Sequence, residues 1–174
     1  MNFGSEWTTS SVNSLFKLNP TYPELLVVPR SISDSALKKI AKFRGRARIP
    51  VVTWKRPTDT QVLMRSSQPC VGLVSTRCHE DEVLLREAKA TNPGQQKMLI
   101  FDARSYAASF SNKASGGGFE NTADVSYQDC DVVFLNIGNI HTVRESFDAL
   151  VKACHTSADD EKWFASFLFS FGSQ

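Results

Sequence analysis

Apolar residues fall in short runs along this chain, separated by stretches where they recur every three or four positions, so strands and amphipathic helices are expected to alternate. The run ELLVVP, from Glu24 to Pro29, predicts a short strand stopped by proline. SDSALKKIAKFR follows, with Ser33 at an N-cap position and Leu37, Ile40 and Ala41 on one helical face. RIPVVTWK and TQVLMRSS are rich in β-formers and flank RPTD, where Pro57 and Asp59 supply turn chemistry, so two neighbouring strands are expected. HEDEVLLREAKATNPG has acids at its start and Arg86 and Lys89 later, as a helix dipole favours, before NPG breaks it.

MLIFDAR and DVVFLNIGN are continuous apolar runs, the pattern of strands buried on both faces. HTVRESFDALVKACH places Val143, Phe147, Leu150, Val151 and Cys154 on one stripe, predicting a last helix packed against the sheet. Together these elements predict an α/β fold, with no internal repeat and no low-complexity linker to divide it.

At 174 residues, 41% hydrophobic and 22% charged, the chain suits one domain with a single core. A formal charge of +2 gives no ground for nucleic acid as a partner. MNFGSEWTTSSVNSLF lacks the charged leader and long apolar run of a signal peptide, so a cytosolic chain is expected. WFASFLFSFG, near the C-terminus, is far shorter than the roughly 20 residues that span a bilayer. Cys70, Cys78, Cys130 and Cys154 form no C-x-x-C pair and are expected to be reduced structural thiols, with no metal site.

Four candidate chemistries can be read from the residues. The glycines of NKASGGGFEN match neither a P-loop nor a dinucleotide turn, since Asn121 stands where the latter needs its third glycine. A helix C-cap followed by a turn accounts for them as well as a phosphate cradle does. No cysteine begins a C-x5-R loop: Thr76, Leu84, Asn136 and Asp160 occupy the arginine's place. His79, His141 and His155 have no ligand spacing, and KFRGRARIP with Trp54, Lys55 and Arg56 forms a local basic patch that suits either a solvated face or an anionic surface.

Several of these stretches, taken in order, resemble the myotubularin family of phosphoinositide 3-phosphatases. They are VNSLFKLNPTYPELLVVP, FRGRARIPVVTW, LMRSSQPCVG, EDEVLL, IFDAR, SNKASGGGFEN and NIHTVRES, covering about Trp7 to Trp163 and diverging after about residue 164. The resemblance implies the N-terminal portion of a cysteine-phosphatase-like domain of the protein tyrosine phosphatase superfamily, with a central mixed sheet flanked by helices. It implies removal of the 3-phosphate from phosphatidylinositol 3-phosphate and, in some members, from the 3,5-bisphosphate. No cofactor is implied.

The family's catalytic loop, H-C-S-D-G-W-D-R, does not occur among residues 1–174, so this chain alone is expected to be inactive. By the same resemblance Asn112 lines the headgroup pocket, and Asn139 with Ile140 forms its second wall; two asparagines that merely order turns are the alternative. Ser115 stands where many members carry a lysine that favours a doubly phosphorylated headgroup, so the likeness does not extend to bisphosphate selectivity. Ser105, Ser109 and Ser111 replace family residues and are small enough to keep the helix packing. The partners implied are a phosphoinositide headgroup, a membrane surface met peripherally, and a homo- or hetero-oligomer of myotubularins. The second functional class is a non-catalytic binding or dimerisation adaptor. Further strands and helices of the family domain are expected to cover VVFLNI and the helix after it.

Overall fold

The computed structural model describes residues 4–57 and 60–155, so the turn residue Asp59 and the WFASFLFSFG run lie outside the described residues. Two compact units divide the chain, one ending at Leu135 and the other beginning at Asn136.

In the first unit β1 (Trp7–Ser10) pairs antiparallel with β2 (Leu26–Pro29), Trp7 opposite Pro29. The loop between them is organised by Asn13, whose fully buried amide donates to the carbonyls of Asn19, Tyr22 and Pro23 while its oxygen accepts from the N–H groups of Leu18 and Asn19. One side chain thus satisfies five backbone groups that burial would otherwise leave without partners. Helix α1 (Asp34–Phe43) starts where the sequence places it, with Ser33 Oγ accepting from the Ala36 N–H at 3.3 Å. Its predicted face, Leu37, Ile40 and Ala41, is buried.

The predicted hairpin forms as β3 (Val51–Lys55) and β4 (Val62–Arg65), antiparallel, with a register shift between Val52 and Trp54. Helix α2 (His79–Ala90) carries its three acids in the first turn, but their work goes beyond the dipole. Glu80 pairs with Lys39, Asp81 with Arg44 and Glu82 with Arg77. β5 (Met98–Asp102) and β6 (Cys130–Phe134) pair parallel, with α3 (Tyr106–Ser111) and a 3-10 turn over Asn112–Ser115 in the crossover between them. Leu26, Val28, Leu37, Ile40, Ile49, Leu84 and Leu85 make the core, in which α1 and α2 pack on β2 and β3.

The α/β class is therefore observed, but the central mixed sheet is not: among the described residues the six strands form three separate two-stranded sheets. Nor are β5 and β6 buried on both faces. Leu99, Phe101 and Val133 are 50%, 61% and 39% exposed on one face, while Cys130 on the other is buried. Continuous apolarity marks a strand meant to be covered twice, and among the described residues only one cover is present.

The second unit holds α4 (Ile140–His155), the last predicted helix. Its apolar stripe does not reach the expected burial, since Val143, Phe147, Leu150 and Cys154 are exposed and Val151 is half-buried. No helix among the described residues is long and apolar enough to cross a membrane.

Candidate functional site

Two of the quoted motifs interlock to build the site. The turn after α1, Gly45–Ala47, lies against the RSSQP segment: Gly45 N–H donates to Gln68 O at 2.9 Å, Ser67 N–H to Arg48 O at 3.0 Å, and Ser67 Oγ to Gly45 O. Arg44 joins this contact through the Ser67 carbonyl. Its guanidinium is fully buried, forms a bidentate pair with Asp81 at 2.7 and 2.6 Å, and also donates to Glu120 and to Ser67 O. Tyr127 donates its hydroxyl to the same Asp81 carboxylate at 2.9 Å.

Burial alone would lower the Arg44 pKa, but the Asp81 and Glu120 carboxylates reverse this and hold the guanidinium charged. Burial first, then the adjacent Asp81 charge, push the Tyr127 hydroxyl well above its ordinary value, so it stays a donor. Arg44 is thereby withdrawn from the expected basic patch, whereas Lys42, Arg46 and Arg56 are exposed.

A second arginine ties the other wall together. Arg104, after β5, binds Asp102 bidentately at 3.0 and 2.6 Å, and also donates to Gln68 Oε1 and to Gly118 O. Ser109 Oγ donates to Asp102 at 3.1 Å, and Ser105 caps α3, so these two serines do more than preserve packing. Burial raises the Asp102 pKa, but the Arg104 hydrogen bonds and charge outweigh it and hold the carboxyl below its usual range. Such a lowered group stabilises the fold above its unfolded pKa, and that contribution is lost as pH falls through the folded value.

The glycine run closes the site. Gly116, at φ +82°, stops the 3-10 turn in the left-handed conformation, its N–H returning to the carbonyls of Asn112 and Lys113. Gly118, at φ +145°, donates to Gln68 Oε1 and lies so close to Val71 that an added Cβ would collide with Cγ2 of that residue. Lys113 sits 4.6 Å from the Phe119 ring centre and 5.4 Å from that of Phe110, a cation–π contact that holds it beside the loop.

The resulting cavity has a volume of about 410 Å³ and is lined by Ser66, Ser67, Gln68, Asp102, Arg104, Asn112 and Glu120 among others. Both its carboxylates are already matched by arginines, so the polar groups it offers are uncharged, among them the half-buried Asn112 amide, which has no hydrogen-bond partner among the described residues. Neutral donors and acceptors of this kind suit hydroxyls and phosphate oxygens. None of the four cysteines lines the cavity. No three His, Cys, Asp or Glu side chains among the described residues group as a metal ion would need.

Asn139 and Ile140 lie in the second unit. Asn139 caps α4, its Oδ1 accepting from the N–H groups of His141 at 2.8 Å and Thr142 at 3.2 Å, and Ile140 is exposed in the first turn. Arg44, Gln68 and Glu120 were not among the sequence candidates. Each lies inside a quoted motif, but its role is not legible there, because Arg44 meets Asp81 and Glu120 across 37 and 76 positions of chain.

The thiols differ enough to be told apart chemically. Burial, then the charges of Glu120 and Asp129, push the Cys130 pKa up to about 12, whereas Cys154 is exposed. Iodoacetamide at pH 8 is expected to label Cys154 first and leave Cys130 unmodified in the native chain, as peptide mass spectrometry would show. Labelling of Cys130 as fast as Cys154 would contradict its burial.

Comparison with known proteins shows which family the chain belongs to. The family model described as a myotubularin-like phosphatase domain matches residues 2–171. Over 160 residues the chain is 41% identical to the phosphatidylinositol-3,5-bisphosphate 3-phosphatase MTMR2 of Bos taurus, covering 92% of this chain and 25% of the relative. Over 161 residues it is 40% identical to the myotubularin of Xenopus laevis, covering 92% and 26%. The chain belongs to the myotubularin phosphatase family. It spans about a quarter of the length of the curated relatives it matches.

Proposed function

We propose that this chain is one part of a cysteine-phosphatase-like domain that removes the 3-phosphate from phosphatidylinositol 3-phosphate, and from the 3,5-bisphosphate as the relatives' printed name indicates. The carrying observation is spatial: RSSQP, IFDAR and SNKASGGGFEN, far apart in sequence, converge on one polar cavity with the Asn112 amide free. In this reading Asn112 contacts the inositol headgroup, and Asn139 and Ile140 supply a second wall. Hydrolysis through a cysteinyl-phosphate requires a thiolate in the cavity, and the four cysteines lie elsewhere. In this reading the chain by itself is inactive, and the enzyme it belongs to is cytoplasmic and meets membranes peripherally.

The purified chain, given short-chain phosphatidylinositol 3-phosphate, is expected to release no phosphate above buffer. Release at a rate unchanged by cysteine alkylation would overturn the reading. A second reading, a non-catalytic adaptor that binds lipid or another myotubularin, is favoured by the exposed Leu99, Phe101 and Val133. Absence of binding both to phosphoinositide vesicles and to the bovine relative would remove it.

A further inference from the structure

Gln68, in the RSSQP segment, lines the polar cavity together with Asn112, and its neighbours fix which way its side-chain amide points. Arg104 Nη1 and, at 3.3 Å, the Gly118 N–H both donate to Oε1. A guanidinium and a backbone N–H can only donate, so the amide oxygen must face them and the NH2 group must face away. The main chain is held too: Gln68 O accepts from the Gly45 N–H at 2.9 Å, and Pro69 is fully buried. The amide lies against the backbone of Gly117, where an added Cβ would come within 2.6 Å of Nε2.

Nε2 itself has no hydrogen-bond partner among the described residues, and no buried side-chain nitrogen or oxygen among them lacks one. Nε2 is therefore open to solvent in the cavity wall. Arg104 is already engaged, since the same guanidinium binds Asp102 bidentately and the Gly118 carbonyl. Its charge still acts on the Gln68 amide through Oε1, and an amide that accepts from a cation becomes a stronger donor. The cavity thus holds an uncharged group that can donate and whose own acceptor is occupied. Asn112 differs, because neither end of its amide is engaged and it can turn to donate or to accept.

We propose that Gln68 is a second recognition residue of this cavity, its Nε2 donating to a phosphate oxygen of the bound headgroup. This rests on the reading that the cavity takes a phosphoinositide headgroup. An ionised phosphate oxygen accepts and has no hydrogen to return, which matches a group left only to donate, whereas a ring hydroxyl suits the unengaged Asn112 amide. A Gln68 that merely ties RSSQP to Arg104 and the glycine run needs its oxygen alone. Gln68→Glu separates the two roles, because the carboxylate keeps an oxygen for Arg104 and Gly118 but replaces the donor with an anion.

The test titrates the 174-residue chain with dioctanoyl phosphatidylinositol 3-phosphate, inorganic phosphate and uncharged myo-inositol, following the side-chain amide resonances of Gln68 and Asn112 by NMR. The lipid is expected to shift both amides. Gln68→Glu is expected to weaken lipid binding at least about ten-fold while holding the thermal midpoint within about 2 °C of the parent. Gln68→Met, which removes the acceptor as well, is expected to lower the midpoint. An Asn112 shift without a Gln68 shift, or undiminished lipid binding by Gln68→Glu, overturns the inference and keeps the headgroup reading. Myo-inositol moving the Gln68 amide as far as the lipid does assigns it to a hydroxyl and overturns the inference too. A Gln68 shift without one at Asn112, or inorganic phosphate binding as tightly as the lipid, keeps the phosphate contact and sinks the headgroup reading. Silence of both amides sinks both. Failure of Gln68→Glu to fold, or a midpoint as low as that of Gln68→Met, overturns the orientation given to the amide and the inference with it.

Discussion

Replacing Arg44 with methionine is expected to destabilise the chain by about 3–5 kcal/mol, the usual consequence of leaving buried charges without their partner. Asp81 and Glu120 would stay in the interior facing no cation, and the Ser67 carbonyl would lose its donor. For a chain of this size that corresponds to roughly 6–20 °C in the thermal midpoint. Arg44→Lys is expected to rescue little, because one ammonium cannot replace a fork that reaches Asp81 on one side and Glu120 on the other. Removing the three charges together, with Arg44→Met, Asp81→Leu and Glu120→Met, is expected to cost less than Arg44→Met alone. Thermal and urea unfolding measure all three variants, and a midpoint for Arg44→Met within about 2 °C of the parent would refute the role given to this cluster.

Gly118→Ala is the second large effect, about 2–4 kcal/mol, from two additive sources. The positive φ of +145° is costly for any residue with a Cβ, and the new methyl would meet Val71 at less than van der Waals contact. Gly116→Ala supplies the contrast: its φ of +82° is also strained, but an added Cβ there has nothing within 4 Å, so roughly 1 kcal/mol is expected. Displacing Gly118 also disturbs the cavity, since its carbonyl accepts from Arg104 and its N–H reaches Gln68. Equal destabilisation by the two substitutions would show that backbone strain alone, and not the contact with Val71, sets the cost.

NKASGGGFEN thus serves as the chain stop expected of it and as a close contact between loops. It ends the 3-10 turn at Gly116 and, two residues on, brings the backbone against the RSSQP loop. Composition and spacing reveal a chain stop, because a left-handed C-cap is a local property. The approach to Val71 and Gln68 is not local, and no spacing rule encodes it.

The amino-acid pattern by itself determined most of the elements of this chain. Ser33 caps α1, VVTW and VLMR pair as a hairpin, HEDEVLL makes α2, and Leu37, Ile40 and Leu84 go to the core. Each depends on the period of apolar positions or on a cap, which neighbouring residues carry. The motifs, likewise, were enough to place the chain among myotubularins. Tertiary structure decided what those elements meet. It split the expected sheet into three pairs, left one face of β5 and β6 open, and turned Arg44 from a member of a surface patch into the buried partner of two carboxylates. The reason is that burial and ion pairing depend on which distant segments come together, whereas periodicity reports only that a residue has an inner face, not what will cover it.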